Sequence, residues 1–166
     1  MDNTPAFSRS SVRDALLHGW RVSLVAMFCY FTVNRIPQLH ETYWAPIAAV
    51  VVLYPDLGTT EKAGFDRLLG TAIGSLVGWG SAVWWHGHTL FYGLSIFVSV
   101  AICYTLGRAG AARLCAVAVT VITIIPRPEP AHMVAIYRFI EVSYGVSCAL
   151  AYMRIVDLIQ ARWARA

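Results

Sequence analysis

The chain has 166 residues, of which 58% are hydrophobic and only 13% charged, and arginine supplies nearly all of its net charge of +4. A soluble domain carries about 25% charged residues, so this chain lacks the polar surface that a water-soluble enzyme of its length would need. The basic excess forms no cluster interleaved with aromatics on a soluble element, which excludes a nucleic-acid partner.

Six apolar segments follow one another, at about 15–34, 43–57, 63–85, 88–106, 109–126 and 131–155. Most are long enough, at 1.5 Å per residue, to cross a hydrocarbon core about 30 Å thick. The strict alternation of a membrane β-barrel is missing, which leaves helices as the spanning form. The chain therefore reads as an all-α integral membrane protein, a single domain over 1–166 with six transmembrane helices and the lipid bilayer as its surroundings. Placing both termini in the cytoplasm puts nine basic residues inside and two outside (Arg35 and Arg127), with Arg21 and Arg138 embedded in spans. That asymmetry follows the positive-inside rule.

The first segment carries Arg21 at depth, with Asp14 and His18 on the same helix face at spacings of three and four. An intramembrane arginine is costly enough that it normally faces a cavity or a partner. The second segment opens Tyr43-Trp44-Ala-Pro46 and ends at Pro55. Its 15 residues reach about 22 Å if helical, short of a full crossing. A proline near its start is either a break or an ordinary first-turn proline. Asp56 follows, beside Pro55 and Gly58, and the charged stretch 56–67 reads as a solvated cytoplasmic link.

The third segment places Gly70, Gly74 and Gly78 on one face, a spacing that lets helix backbones approach in lipid, and carries Trp79 next to them. His86 and His88 lack a third ligand, so no metal site is indicated. Cys29, Cys103, Cys115 and Cys148 lie in apolar runs without metal-ligand or disulfide spacing, and no cofactor is implied. The fifth segment is again short, with Pro126 at its end. The sixth carries Arg138 and Glu141 three residues apart, a structural ion pair or a functional one. A guanidinium can hold a carboxylate bidentately, and a carboxyl removed from water keeps its proton more tightly.

A shift of 71 residues lays Pro55 on Pro126, Arg67 on Arg138 and Gly74 on Gly145. Only five of 38 positions in 43–80 are identical under this shift, so the spaced Pro, Arg, Gly pattern carries the argument more than identity does. It points to an inverted 3+3 repeat, a common transporter design in which short or proline-broken segments at matching positions mark the site.

Tyr-Trp-Ala-Pro-Ile-Ala-Ala-Val-Val-Val from Tyr43, the Pro55…Gly58 turn, Arg67-Leu-Leu-Gly-Thr-Ala-Ile-Gly, and Arg138-x-x-Glu141-x-x-x-Gly145 together resemble the fusaric acid resistance and aromatic acid exporter family. The resemblance covers essentially the whole chain as one six-helix unit. It implies a bacterial inner-membrane efflux protein for organic, above all aromatic, carboxylic acids, driven by the proton gradient and not an enzyme. Plant anion channels for malate look related to the same unit, which keeps a passive channel open, as is a non-transporting subunit of a larger assembly. Many members carry two such units or soluble domains, so a single unit implies a homodimer. With a small organic anion as substrate, the expected contacts are Arg21 and Arg138 for the carboxylate and Tyr43, Trp44, Pro46 and Trp79 around the ring. Glu141 or Asp56 would carry the proton, and Gly70, Gly74 and Gly78 would serve helix packing.

Overall fold

A computed structural model describes residues 9–37, 41–84, 89–125 and 128–163, with side chains described from residue 12 onward. Among these residues there are six α-helices and no strand. They are α1 (Arg9–Val33), α2 (Trp44–Val52), α3 (Leu57–Trp84), α4 (Thr89–Thr105), α5 (Ala109–Ile124) and α6 (Ala131–Trp163).

The distribution of side chains is the reverse of a soluble protein's. The interior is rich in small residues, among them Ala45, Ala48, Ala49, Ala111, Cys115 and Ser99, beside valines such as Val33 and Val142, whereas Met27, Phe97 and Leu90 are exposed by 70%, 69% and 80%. Water would oppose such a surface and hydrocarbon would not, and close packing of small residues is how helices associate in lipid. Within the described residues, Val12–Val33 and Ala131–Trp163 are long and apolar enough to cross a membrane, while α4 and α5 are apolar but shorter. The chain is a helical membrane protein.

Two boundaries differ from those read in the sequence. α2 has nine residues and not 15, about 13 Å of helix. It stops at Leu53, whose φ of −80° and ψ of 110° are extended, two residues ahead of Pro55, which has no amide to donate to Val51 and whose ring would clash with the Val51 carbonyl if the helix ran on. α5 ends the same way, at Ile125 (φ −76°, ψ 115°), ahead of Pro126, which lies outside the described residues together with Arg127 and the pair His86 and His88. The charged stretch after Pro55 is no loop: α3 begins at Leu57, so Arg67 stands ten residues inside a helix.

The helices pack in two groups. α1 lies against α2 and α6, and α4 lies against α5 and α3. α2 packs chiefly on α6 and α5 chiefly on α3, while α3 and α6 pack on each other and join the groups. Exchanging α1 with α4, α2 with α5 and α3 with α6 leaves this set of packing partners unchanged. α3 and α6 run antiparallel, since a Cβ on Gly64 would meet Val146 and Leu150, whereas Ala72–Trp79 share a groove with His132–Ile140.

Candidate functional site

Gly145 determines how closely α2 approaches α6. A Cβ there would run into the main-chain carbonyl of Ala45 and the side chain of Ala48, so only glycine allows the contact. That approach lays the start of α2 over the first half of α6. The guanidinium of Arg138 lies 3.0 Å from the centre of the Trp44 ring. Arg138 is only 3% exposed, and Glu141, one turn further along α6, only 1%. A cation over an indole away from water is stabilised by about 2 kcal/mol, enough to hold both side chains in place.

The segment ahead of α2 closes the cluster. The amide of Glu41 donates to Glu141 Oε1 (3.2 Å), and Trp44 Nε1 donates to Glu41 Oε2 (2.9 Å). The carbonyl of Glu41 also accepts the Trp44 amide (3.1 Å), a turn that begins α2. Tyr43 is exposed on the rim, its ring tilted 46° to that of Trp44 at 5.2 Å. Pro46 is half-buried in the first turn, where a helix needs no amide donor. One guanidinium, two carboxylates and two aromatic rings thus converge at one end of the α2–α6 contact.

The other sequence-derived residues lie elsewhere. Arg21 is half-buried on α1, on the stretch preceding Leu24 to Phe28, which packs against Tyr144–Ile155. By helix rise this separates it from Arg138 by about 25 Å along the bundle, and the structure does not bring the two arginines together. Trp79 lines an apolar groove of about 570 Å³ between α3 and α6, with Leu76, Ile136 and Phe139, and neither Arg138 nor Trp44 borders that groove.

Asp56 caps α3. Its Oδ1 accepts the Thr59 amide (2.8 Å), and its carbonyl accepts the hydroxyl of the fully buried Thr60 (2.8 Å), whose Oγ1 in turn accepts the Tyr54 amide (3.0 Å). The hydrogen bonds from Thr59 hold the Asp56 carboxyl below its usual range, so it is ionised at neutral pH and suited to capping. Gly70, Gly74 and Gly78 form the seam with α5: added Cβ atoms would meet Ala111 and Leu114, Cys115 and Ala118, and Val119 and Ile122 respectively.

Two features were missed in the sequence. Arg67, assigned there to a solvated link, is 5% exposed, and its Nε makes no hydrogen bond among the described residues. Its sequence signals were the 71-residue correspondence with Arg138 and its place at the head of the Arg67-Leu-Leu-Gly-Thr-Ala-Ile-Gly motif. Glu41, which lies between the first two apolar segments and drew no reading, is the hydrogen-bonding partner that joins Trp44 to Glu141. No short-range pattern reveals that, because the link to Glu141 spans 100 residues.

The family model described as fusaric acid resistance protein-like matches residues 19–152. Among curated proteins, the "Uncharacterized transporter YdhK" of Escherichia coli K12 is 34% identical over 79 residues, which are 46% of this chain and 11% of that protein. Its counterpart in E. coli O157:H7 matches equally. The match thus spans about a tenth of the length of these relatives. No solved structure matches the chain.

Proposed function

The chain belongs to the fusaric acid resistance protein-like family, and from that premise we propose that it is the membrane unit of a transporter that exports organic, above all aromatic, carboxylic acids across the bacterial inner membrane at the expense of the proton gradient. The observation that carries the reading is the buried guanidinium of Arg138 stacked on Trp44 one turn from the buried carboxyl of Glu141. A ring with a carboxylate needs an aromatic face and a bidentate cation side by side. The related proteins named as transporters, and the membrane character of the fold, point the same way.

The proposed mechanism follows from charge. An incoming carboxylate meets one guanidinium, Arg138, but two glutamates, Glu41 and Glu141, and in a low dielectric like charges repel strongly. The anion is therefore held well only once a glutamate has taken up a proton. Glu141, the more deeply buried, is the group we assign to that proton. Trp44 gives up part of its cation contact to the substrate ring, and Tyr43 closes the outer side. Anion and proton occupancy are thereby linked, which is what coupled transport requires.

In this reading the six helices lie in the membrane as an inverted 3+3 repeat, supported by the exchangeable packing pattern and by the matched Pro, Arg, Gly positions. Both termini face the cytoplasm by the positive-inside rule, and the unit works as a homodimer, a state that cross-linking in native membranes reads directly. The deciding experiment is reconstitution in liposomes with an imposed pH gradient and labelled benzoate. Proton-driven accumulation is expected. Absence of any flux would end the transport reading, and anion current without proton movement would replace it by a passive channel.

A further inference from the structure

Two buried arginines occupy corresponding places in the two helix groups. Arg67 precedes Gly74 by seven residues, as Arg138 precedes Gly145. Gly74 brings α3 against the main-chain carbonyl of Cys115 in α5, and Gly145 brings α6 against that of Ala45 in α2. The two arginines are exposed by 5% and 3%. Their surroundings then diverge. Beside Arg138 the group of α1, α2 and α6 has Glu141, whereas the position corresponding to Glu141 in the group of α4, α5 and α3 is Gly70.

Nearby acids do not compensate Arg67. Asp66 faces Arg108 at 3.5 Å, and that guanidinium also covers the ring of Phe65 at 4.6 Å. Glu61 pairs with Arg154 at 3.2 Å on the exposed side. Among the described residues no carboxylate pairs with Arg67, and its Nε donates to nothing. A guanidinium withdrawn from water without a counter-charge is unfavourable, and an anion from solution relieves it.

We infer that Arg67 is a second anion-binding group, in the opposite half of the bundle from Arg138, and that it takes the same class of ligand, a small carboxylate. The antiparallel register of α3 and α6 puts Arg67 level with about Gly145 and Arg138 level with about Gly74, so the two lie about 10 Å apart along the bundle axis. One position serves the cytoplasmic half and the other the outer half. The inference rests on the carboxylate-transport reading but concerns a different residue in a different helix group.

The test is calorimetric titration of the full chain in nanodiscs with benzoate. Two benzoates per chain are expected for the wild type and one for Arg67→Gln, with Arg138→Gln also leaving one. A monodisperse Arg67→Gln protein that still binds two overturns the inference, as does a wild-type stoichiometry of one. If Arg138→Gln leaves two sites while Arg67→Gln leaves one, the assignment of Arg138 fails and that of Arg67 stands. If Arg67→Gln does not fold, Arg67→Lys decides. It keeps the charge but loses the planar fork, so one of the two sites is expected to weaken at least about tenfold, and two unaltered sites overturn the proposal.

Discussion

A guanidinium offers a carboxylate two parallel donors, whereas a lysine ammonium at the same place is a compact single charge. Arg138→Lys is therefore expected to leave the protein folded and to slow benzoate flux by about 10- to 100-fold, a loss of about 1.4–2.8 kcal/mol in binding. Trp44→Ala removes both the ring surface and the cation contact, and the initial rate of flux should fall at least as far. Glu141→Gln separates coupling from binding: benzoate exchange across liposomes persists, while uphill accumulation under a pH gradient is lost. Accumulation equal to wild type would remove Glu141 from the proton's path. Asp56 titrates with the opposite consequence. Its carboxyl is held below the usual range by the Thr59 hydrogen bonds, so its contribution to stability is complete above the ordinary carboxylate range and is lost as the pH falls through its lowered pKa. Melting of wild type in nanodiscs should show that acid-side loss, and Asp56→Asn, which still caps but does not ionise, should not. Arg138, Glu141 and Trp44 were legible in the sequence because charge in an apolar run and a short aromatic-proline segment are local signals. Arg67 was not, because its neighbours Glu61, Lys62 and Asp66 make the stretch look solvated, and only the fold reveals that Asp66 and Arg67 turn inward while Glu61 and Lys62 stay exposed, with Asp66 facing Arg108 and not Arg67.

At the level of elements, the glycines decide which helices touch. Gly70, Gly74 and Gly78 let α3 lie against α5, and the regular spacing made that seam readable from sequence, although its partner was not. Gly74→Ala forces a methyl group onto Cys115 and Ala118 and is expected to cost about 1–3 kcal/mol by overpacking. Gly80, two residues beyond Gly78 on the same helix, has no atom within 4 Å of an added Cβ, so Gly80→Ala should be neutral or slightly stabilising. Thermal melting of the two variants side by side checks both statements, and equal melting temperatures would mean that α3 and α5 do not rely on this contact. The span of α2 was read too long because hydropathy runs on through Leu53 and Tyr54, whereas helical geometry stops short of Pro55, which has no amide to donate to the turn before it. The start of α3 was read too late for the converse reason: charged residues lower hydropathy, but Asp56 followed three residues later by the Thr59 amide is a helix start all the same. Hydropathy locates apolar stretches, and capping and proline chemistry locate helix ends.

For the whole molecule, the informative feature is how few helices join its two groups. α1, α2 and α6 form one, α4, α5 and α3 the other, and the packing of α3 on α6 is the main connection between them. The transport reading proposed above requires the site to open to each side in turn, and this packing suits a motion in which the groups would rock about the α3–α6 seam while each kept its own arginine and its own glycine contact. The correspondence of Arg67 with Arg138 and of Gly74 with Gly145 could be read from the sequence as a weak periodicity, but not the exchange of α3 and α6 between the groups, since nothing local tells a helix to pack away from the segments that precede it. The seam also supplies a direct test. A Cβ on Gly64 would stand 3.0 Å from Val146 Cγ1, close enough for cysteines at both positions to be bridged. Oxidation of a Gly64→Cys, Val146→Cys protein by copper phenanthroline is expected to stop benzoate flux in liposomes while leaving benzoate binding intact, and reduction should restore flux. Full flux through the oxidised protein would show that the groups need not move against each other, and the pathway would then be a fixed one.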